Sequence, residues 1–220
     1  MQLHRARILW SLAWINIGTH VLGLALALVG IRPGSPLVTL EERLSYLSTA
    51  PALWTIGWGV WMACALALLA FLAALLGCLP KSSVAGTLAL VLAGAGVAVD
   101  LVCETVHITV MPGLASSSPL TTDLFLAFER ALVASGAIVA NGLYAIAVLL
   151  VTRCLARHAN GARYIPYLGY GTFLCGMLMV AAGFASDPRY LELVTGPTIG
   201  IFSVWCFAVT RHLTRREPQL

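Results

Sequence analysis

Charge is what this chain has least of. Only 10% of its 220 residues are Asp, Glu, Lys or Arg, whereas soluble domains carry roughly 25%. With 60% of the residues hydrophobic, one aqueous core cannot hide this much apolar surface. Lipid is the expected solvent for most of the chain. The formal charge of +4 is small. No basic cluster is interleaved with aromatics, so no nucleic-acid partner is expected.

Paired cysteines are lacking as well. Cys64, Cys78, Cys103, Cys154, Cys175 and Cys206 stand singly, without a CxxC or other short spacing. That pattern indicates neither a disulfide framework nor a structural zinc site; in apolar runs such cysteines act as small hydrophobes. HExxH and HxxxH patterns, a phosphate-cradling glycine loop and a dinucleotide fingerprint are also missing. Ser135-Gly136 has no histidine at matching depth, because His158 falls in a loop, so nucleophilic catalysis lacks a base.

What the chain does have is a succession of long apolar runs. They cover approximately residues 8–30, 52–79, 84–111, 122–152, 164–185 and 193–210. At about 1.5 Å of rise per residue each is long enough to cross a bilayer. The fold class expected is therefore an all-α integral membrane protein, a single six-helix bundle over residues 1–220. Residues 1–7 are basic and Ala25-Leu-Ala27 looks like a cleavage site, as in a signal peptide. The first run exceeds the usual apolar core of such peptides, so a retained first span is expected.

Between the first two runs, Arg32-Pro-Gly-Ser-Pro36 marks a turn and Thr39-Leu-Glu-Glu42 reads as a capping box. Leu40, Leu44 and Leu47 follow at helical spacing. This is a short amphipathic helix, lying at the membrane interface or serving as an ordinary loop helix. Trp54, Trp58 and Trp61 form one stripe, expected to be an interfacial belt, with a ligand-lining wall as the alternative. Pro80-Lys-Ser-Ser83 is a turn, Pro112-Gly113 and Ser116-Ser-Ser-Pro119 end the third run, and Asp187-Pro-Arg189 joins the last two. Gly57-Trp-Gly-Val-Trp61 and Gly169-Tyr-Gly-Thr-Phe173 echo each other, a weak hint of an inverted repeat.

Basic residues set the expected orientation. With six alternating spans, one side holds Arg5, Arg7, Lys81, Arg153, Arg157, Arg163, Arg211, Arg215 and Arg216. The other holds Arg32, Arg43 and Arg189, with Arg130 at the outer end of the fourth span. The positive-inside rule then puts both termini in the cytoplasm, and the compactness of the chain together with this bias suggests a bacterial-type inner membrane.

Against this background, Asp100, Glu104 and His107 stand out. Their spacing of i, i+4 and i+7 puts them on one helical face. Asp100 lies roughly 24 Å past Val84 along the axis, inside the outer boundary of a core about 30 Å thick; His107 falls near the headgroups. The fourth span brings Glu129, Arg130, Asn141 and Tyr144 toward the same level, with Arg130 placed beside the two carboxylates. The first span adds Asn16 and His20, and Asp187 and Arg189 are placed over the opening. The expectation is a polar pocket opening outward.

Three chemistries compete for it. A proton, ion or small solute is bound or transported, since intramembrane ionisable groups mark such paths. Alternatively Asp100, Glu104 and His107 ligate a divalent metal such as zinc, iron or manganese in a membrane enzyme. Glu104-x-x-His107 is half of a di-iron bundle motif, but no second copy exists and no cofactor is otherwise indicated. In the third, an ion pair with Arg130 pins two helices in a non-catalytic structural subunit. A homo-oligomer or a partner subunit packed on small-residue faces belongs to that reading. A haem held by His20 and His107 fails on depth, roughly 18 against 35 Å from the inner side.

Overall fold

A computed structural model describes residues 2–49, 51–79, 84–117, 121–157, 163–185 and 187–215. The turn at 80–83 with Lys81, the residues Ser118 and Pro119, His158 and Arg216 lie outside the described residues. The described residues are helical with short connections and include no strand. In chain order the helices are α1 (Gln2–Leu26), α2 (Leu40–Ser48), α3 (Ala52–Gly77), α4 (Val84–Thr109), α5 (Met111–Ser116), α6 (Thr122–Val133), α7 (Asn141–Ala156), α8 (Tyr164–Ala185) and α9 (Pro188–Arg215). Wider π-type turns continue α1 over Ala27–Ile31 and join α6 to α7 over Ala134–Ala140.

Six helical stretches are long and apolar enough to cross a membrane: His4–Gly34, Ala52–Gly77, Val84–Ser116, Thr122–Ala156, Tyr164–Ala185 and Pro188–Arg215. The first begins before the apolar run, and the last runs five residues earlier and later than hydropathy marks. Asp187 explains the early start of α9. Its carboxylate accepts from the Arg189 amide at 2.9 Å and caps the helix, with Pro188 in the first turn, where a missing N–H costs nothing. Asp187 thus serves as a helix cap. Pro197 lies inside α9, and on either side of it Thr195 and Thr198 donate to the carbonyls of Leu191 and Val194. Pro112 does not end the third stretch; the helix breaks at Val110 and Pro112 opens α5.

Each spanning stretch packs on the next, and α1 meets α9, so the six close into a ring. Trp10 Nε1 donates to Thr214 Oγ1 at 3.2 Å, which joins the start of α1 to the end of α9. This is the end carrying both termini. An apolar core fills its half of the ring, with Leu9, Phe71, Leu72, Leu75, Val151, Ile165, Trp205 and Val209 buried. On α8, Gly169, Gly176 and Gly183 recur every seventh residue and face Thr152, Ala145, and Ile138 with Ala137. A Cβ at Gly176 would sit 2.8 Å from the Ala145 methyl, so small residues let the two backbones approach closely.

The opposite end is capped. Here Leu47 of α2, Met111 of α5 and Phe125 of α6 bury themselves with Trp54, Cys103 and Leu132 in a second apolar cluster. The capping box of α2 is formed as the sequence implies: Glu42 N–H donates to Thr39 Oγ1, and the Thr39 N–H and hydroxyl donate to the Glu42 carboxylate. Those bonds hold Glu42 below the ordinary carboxylate range. Tyr46 donates to the Gly30 carbonyl at 2.7 Å, tying α2 to the end of α1, and burial pushes its phenol up.

Candidate functional site

The site lies between the apolar core and the cap. Its first element is the face of α4 carrying Asp100, Glu104 and His107. Tyr144 of α7 donates its hydroxyl to Asp100 Oδ2 at 2.8 Å. Gly96 makes room for this, since a Cβ there would meet the Tyr144 ring at 2.6 Å. Glu104 is 5% exposed, and its Oε2 has no hydrogen-bond partner among the described protein atoms. His107 is buried, its ring flat against Trp58 at 3.9 Å and 2° and edge-on to Trp54 at 5.7 Å. Trp54 Nε1 donates to the His107 carbonyl at 2.7 Å. His107 Nδ1 and Trp58 Nε1 are buried without partners.

The tryptophan stripe of α3 therefore faces inward. Its rings pack on His107 and His20. Periodicity identifies a stripe but not which way it points. Trp61 continues the stripe and lies edge-on to His20 of α1 at 6.4 Å. The two histidines thus lean on residues three apart on α3, roughly 4.5 Å along its axis. Starting the first stretch at His4 rather than at residue 8 moves His20 roughly 6 Å deeper than hydropathy places it.

His20 is oriented by its own helix. Its Nδ1 lies 2.8 Å from the Asn16 carbonyl, which can only accept, so Nδ1 carries the hydrogen and Nε2 is the basic nitrogen. The Thr19 hydroxyl also donates to that carbonyl, at 3.0 Å, and bonds with the Cys64 thiol. Cys64 in turn feels both Asp100 and Glu104. Asn16 is fully buried and donates to Cys206 Sγ of α9 at 3.5 Å. Among the described residues, the ionisable groups around Glu104 are Asp100, Cys103 and His107 on α4, Cys64 on α3, Tyr144 on α7 and, beyond Cys64, His20 on α1.

Arg130 is not among them. It is exposed and makes no ion pair with Asp100 or Glu104. Its neighbour Glu129 is buried instead and pairs with Arg43 of α2, also buried. The π-type segment between α6 and α7 accounts for the exchange. It inserts about one extra residue into the turn, so Glu129 takes the angular position that an uninterrupted helix assigns to Arg130. Asn141 Nδ2 donates to the Gly136 carbonyl at 2.9 Å across that widened turn; it serves the bulge.

Two site features went unread in the sequence. Arg43 falls among Leu40, Leu44 and Leu47 on the apolar side of α2, and a charge in that position was the available signal. Cys64 and Cys103 carried no signal, since isolated cysteines in apolar runs are ordinary packing residues.

The metal reading fares differently. Among the described residues no three His, Cys, Asp or Glu side chains converge as ligands, and the His107 ring is committed to Trp58. What the arrangement does offer is a buried Glu104 beside a half-buried Asp100, with one phenol donor and, among the described residues, no ion pair to either. Such a carboxyl group exists as an acid holding its proton or as an anion holding an incoming cation. Comparison of the chain with protein-family models, with curated proteins and with solved structures returns no match.

Proposed function

We propose that this is a multi-pass inner-membrane protein with cytoplasmic termini that takes up and exchanges a proton or small cation at Asp100 and Glu104. Membrane insertion is supported by the surface. Trp14, Ile56, Val91, Val102, Ile146, Leu178 and Val204, drawn from all six spanning stretches, are large apolar side chains exposed by 40% or more, an inside-out pattern suited to lipid. The orientation rests on the nine-to-three bias of basic residues. The capped end is then the outer end, and Asp100 and Glu104 lie beneath α2 and α5, so outer access requires the cap to move.

The single observation that carries the site reading is Glu104 Oε2, an ionisable oxygen buried without a partner. A helix-pinning role is better served by Arg43 and Glu129, which are paired. The test is dissipation of an imposed pH gradient in dye-loaded proteoliposomes. Wild-type protein should collapse the gradient, whereas Asp100→Asn and Glu104→Gln, recovered at equal folded yield, should not; Arg130→Gln should behave as wild type. Equal rates for wild type and Glu104→Gln would overturn the reading.

A further inference from the structure

Between α1 and α9 runs a line of polar groups that the site itself does not use. The two helices are antiparallel, and their contacts pair His20 with Phe202, Asn16 with Cys206 and Trp10 with Thr214. On α9 the positions facing this seam are Ser203, Cys206, Thr210 and Thr214, spaced three, four and four residues apart, which is one helical face. From His20 to Trp10 the seam covers roughly 15 Å, about half of a bilayer core of about 30 Å. The residues around it belong to the apolar core.

Three atoms on this line are buried without hydrogen-bond partners: Asn16 Oδ1, Ser203 Oγ and Thr210 Oγ1. Asn16 and Thr210 are both 0% exposed. The hydroxyls of Thr195, Thr198 and Thr214 on the same helix bond back to carbonyls four residues earlier, whereas Thr210 does not. Several unsatisfied polar groups in a core are costly unless something completes them. Aligned at helical spacing along one seam, they suit small molecules that both donate and accept.

From these observations, together with the proposed role of Asp100 and Glu104 on which this rests, we infer that the seam holds a single file of water and that the species exchanged at the site is the proton. The file joins the carboxylates to the end carrying the termini. On the site side, the Cys64 thiol bonds with Thr19 and His20, one residue on from Thr19, carries a basic Nε2; water completes the step from there to the carboxylates. Each transfer breaks one O–H or N–H bond and forms another on the neighbouring group, so a proton entering at Thr214 releases one at the carboxyl end with no other reagent. A metal cation is poorly served, because it needs a cage of oxygens to replace its hydration shell, and the seam offers one amide, hydroxyls and a thiol. The apolar cap blocks the opposite direction while it is closed.

The test uses the full chain in proteoliposomes, with the proton as the probe, and compares Asn16→Leu, Thr210→Val and Ser203→Ala with Glu104→Gln. Each hydrogen-bond step removed should slow flux by roughly tenfold. The infrared band of the carboxyl groups, assigned by its loss in Glu104→Gln and Asp100→Asn, should persist in the seam variants. Should Asn16→Leu fail to fold, the near-isosteric Thr210→Val and Ser203→Ala decide. Wild-type flux in the seam variants with none in Glu104→Gln overturns the file and leaves the site standing. Undiminished flux in Glu104→Gln overturns the site itself.

Discussion

Glu129 and Glu104 are buried to nearly the same degree, 7% and 5% exposed, toward the same end of the bundle, yet they are held in opposite ways. Glu129 has a guanidinium from a helix that lies far away in sequence. Glu104 has an aromatic wall nearby, a second carboxylate one turn back and an oxygen that nothing fills. A buried ion pair is settled within the fold, and its removal is felt as instability. A buried acid without a counter-ion is settled only by what it takes up, and its removal is felt as lost chemistry. Burial alone does not separate structural from chemical acids; the partner does.

The contrast breaks most sharply at the pair. Arg43→Leu or Glu129→Leu alone should cost about 3–5 kcal/mol, because each leaves a buried charge alone, and the double substitution should recover most of it. Denaturant unfolding in micelles reads both; additive losses would mean that the pair is not a unit. Next comes the support of the other acid. Gly96→Ala forces a methyl against Tyr144 and should cost about 1–3 kcal/mol, with the Tyr144–Asp100 bond lost from the infrared spectrum.

A smaller effect concerns the helix that supplies Arg43. Thr39→Ala should cost about 1 kcal/mol by removing the cap. Since Glu42 is held below its ordinary range, its contribution is present above the unfolded carboxylate value and disappears as pH falls through the folded one. The difference between Thr39→Ala and wild type should therefore narrow in acid. The smallest effect sharpens the comparison most: Glu104→Gln should shift stability by less than about 0.5 kcal/mol in either direction. A loss as large as that of Glu129→Leu would place Glu104 among the structural acids.

Local features were legible before any fold was known. The capping box at Thr39 and Glu42 needs only four consecutive residues, and the face shared by Asp100, Glu104 and His107 needs only the helical period. Failures came where a choice depended on a distant partner. Trp54, Trp58 and Trp61 make one stripe in either direction, and the cap and histidines that draw them inward come from other helices. Arg130 was placed by extrapolating a regular period through Ala134–Ala140, where the helix widens and rotates everything before it. Nothing within Arg43 or Glu129 announces a contact across 86 residues.

By itself, then, the sequence determined the six apolar stretches, the capped helix between the first two and the anomaly of carboxylates among lipid-soluble side chains. These follow from transfer energies and from hydrogen bonds closed within a few residues. Only the tertiary structure decided which acid is paired, which way the tryptophans face and that a polar seam runs beside α9. Those depend on how helices rotate about their axes and on which chain-distant groups then meet, and a one-dimensional pattern does not carry that rotation.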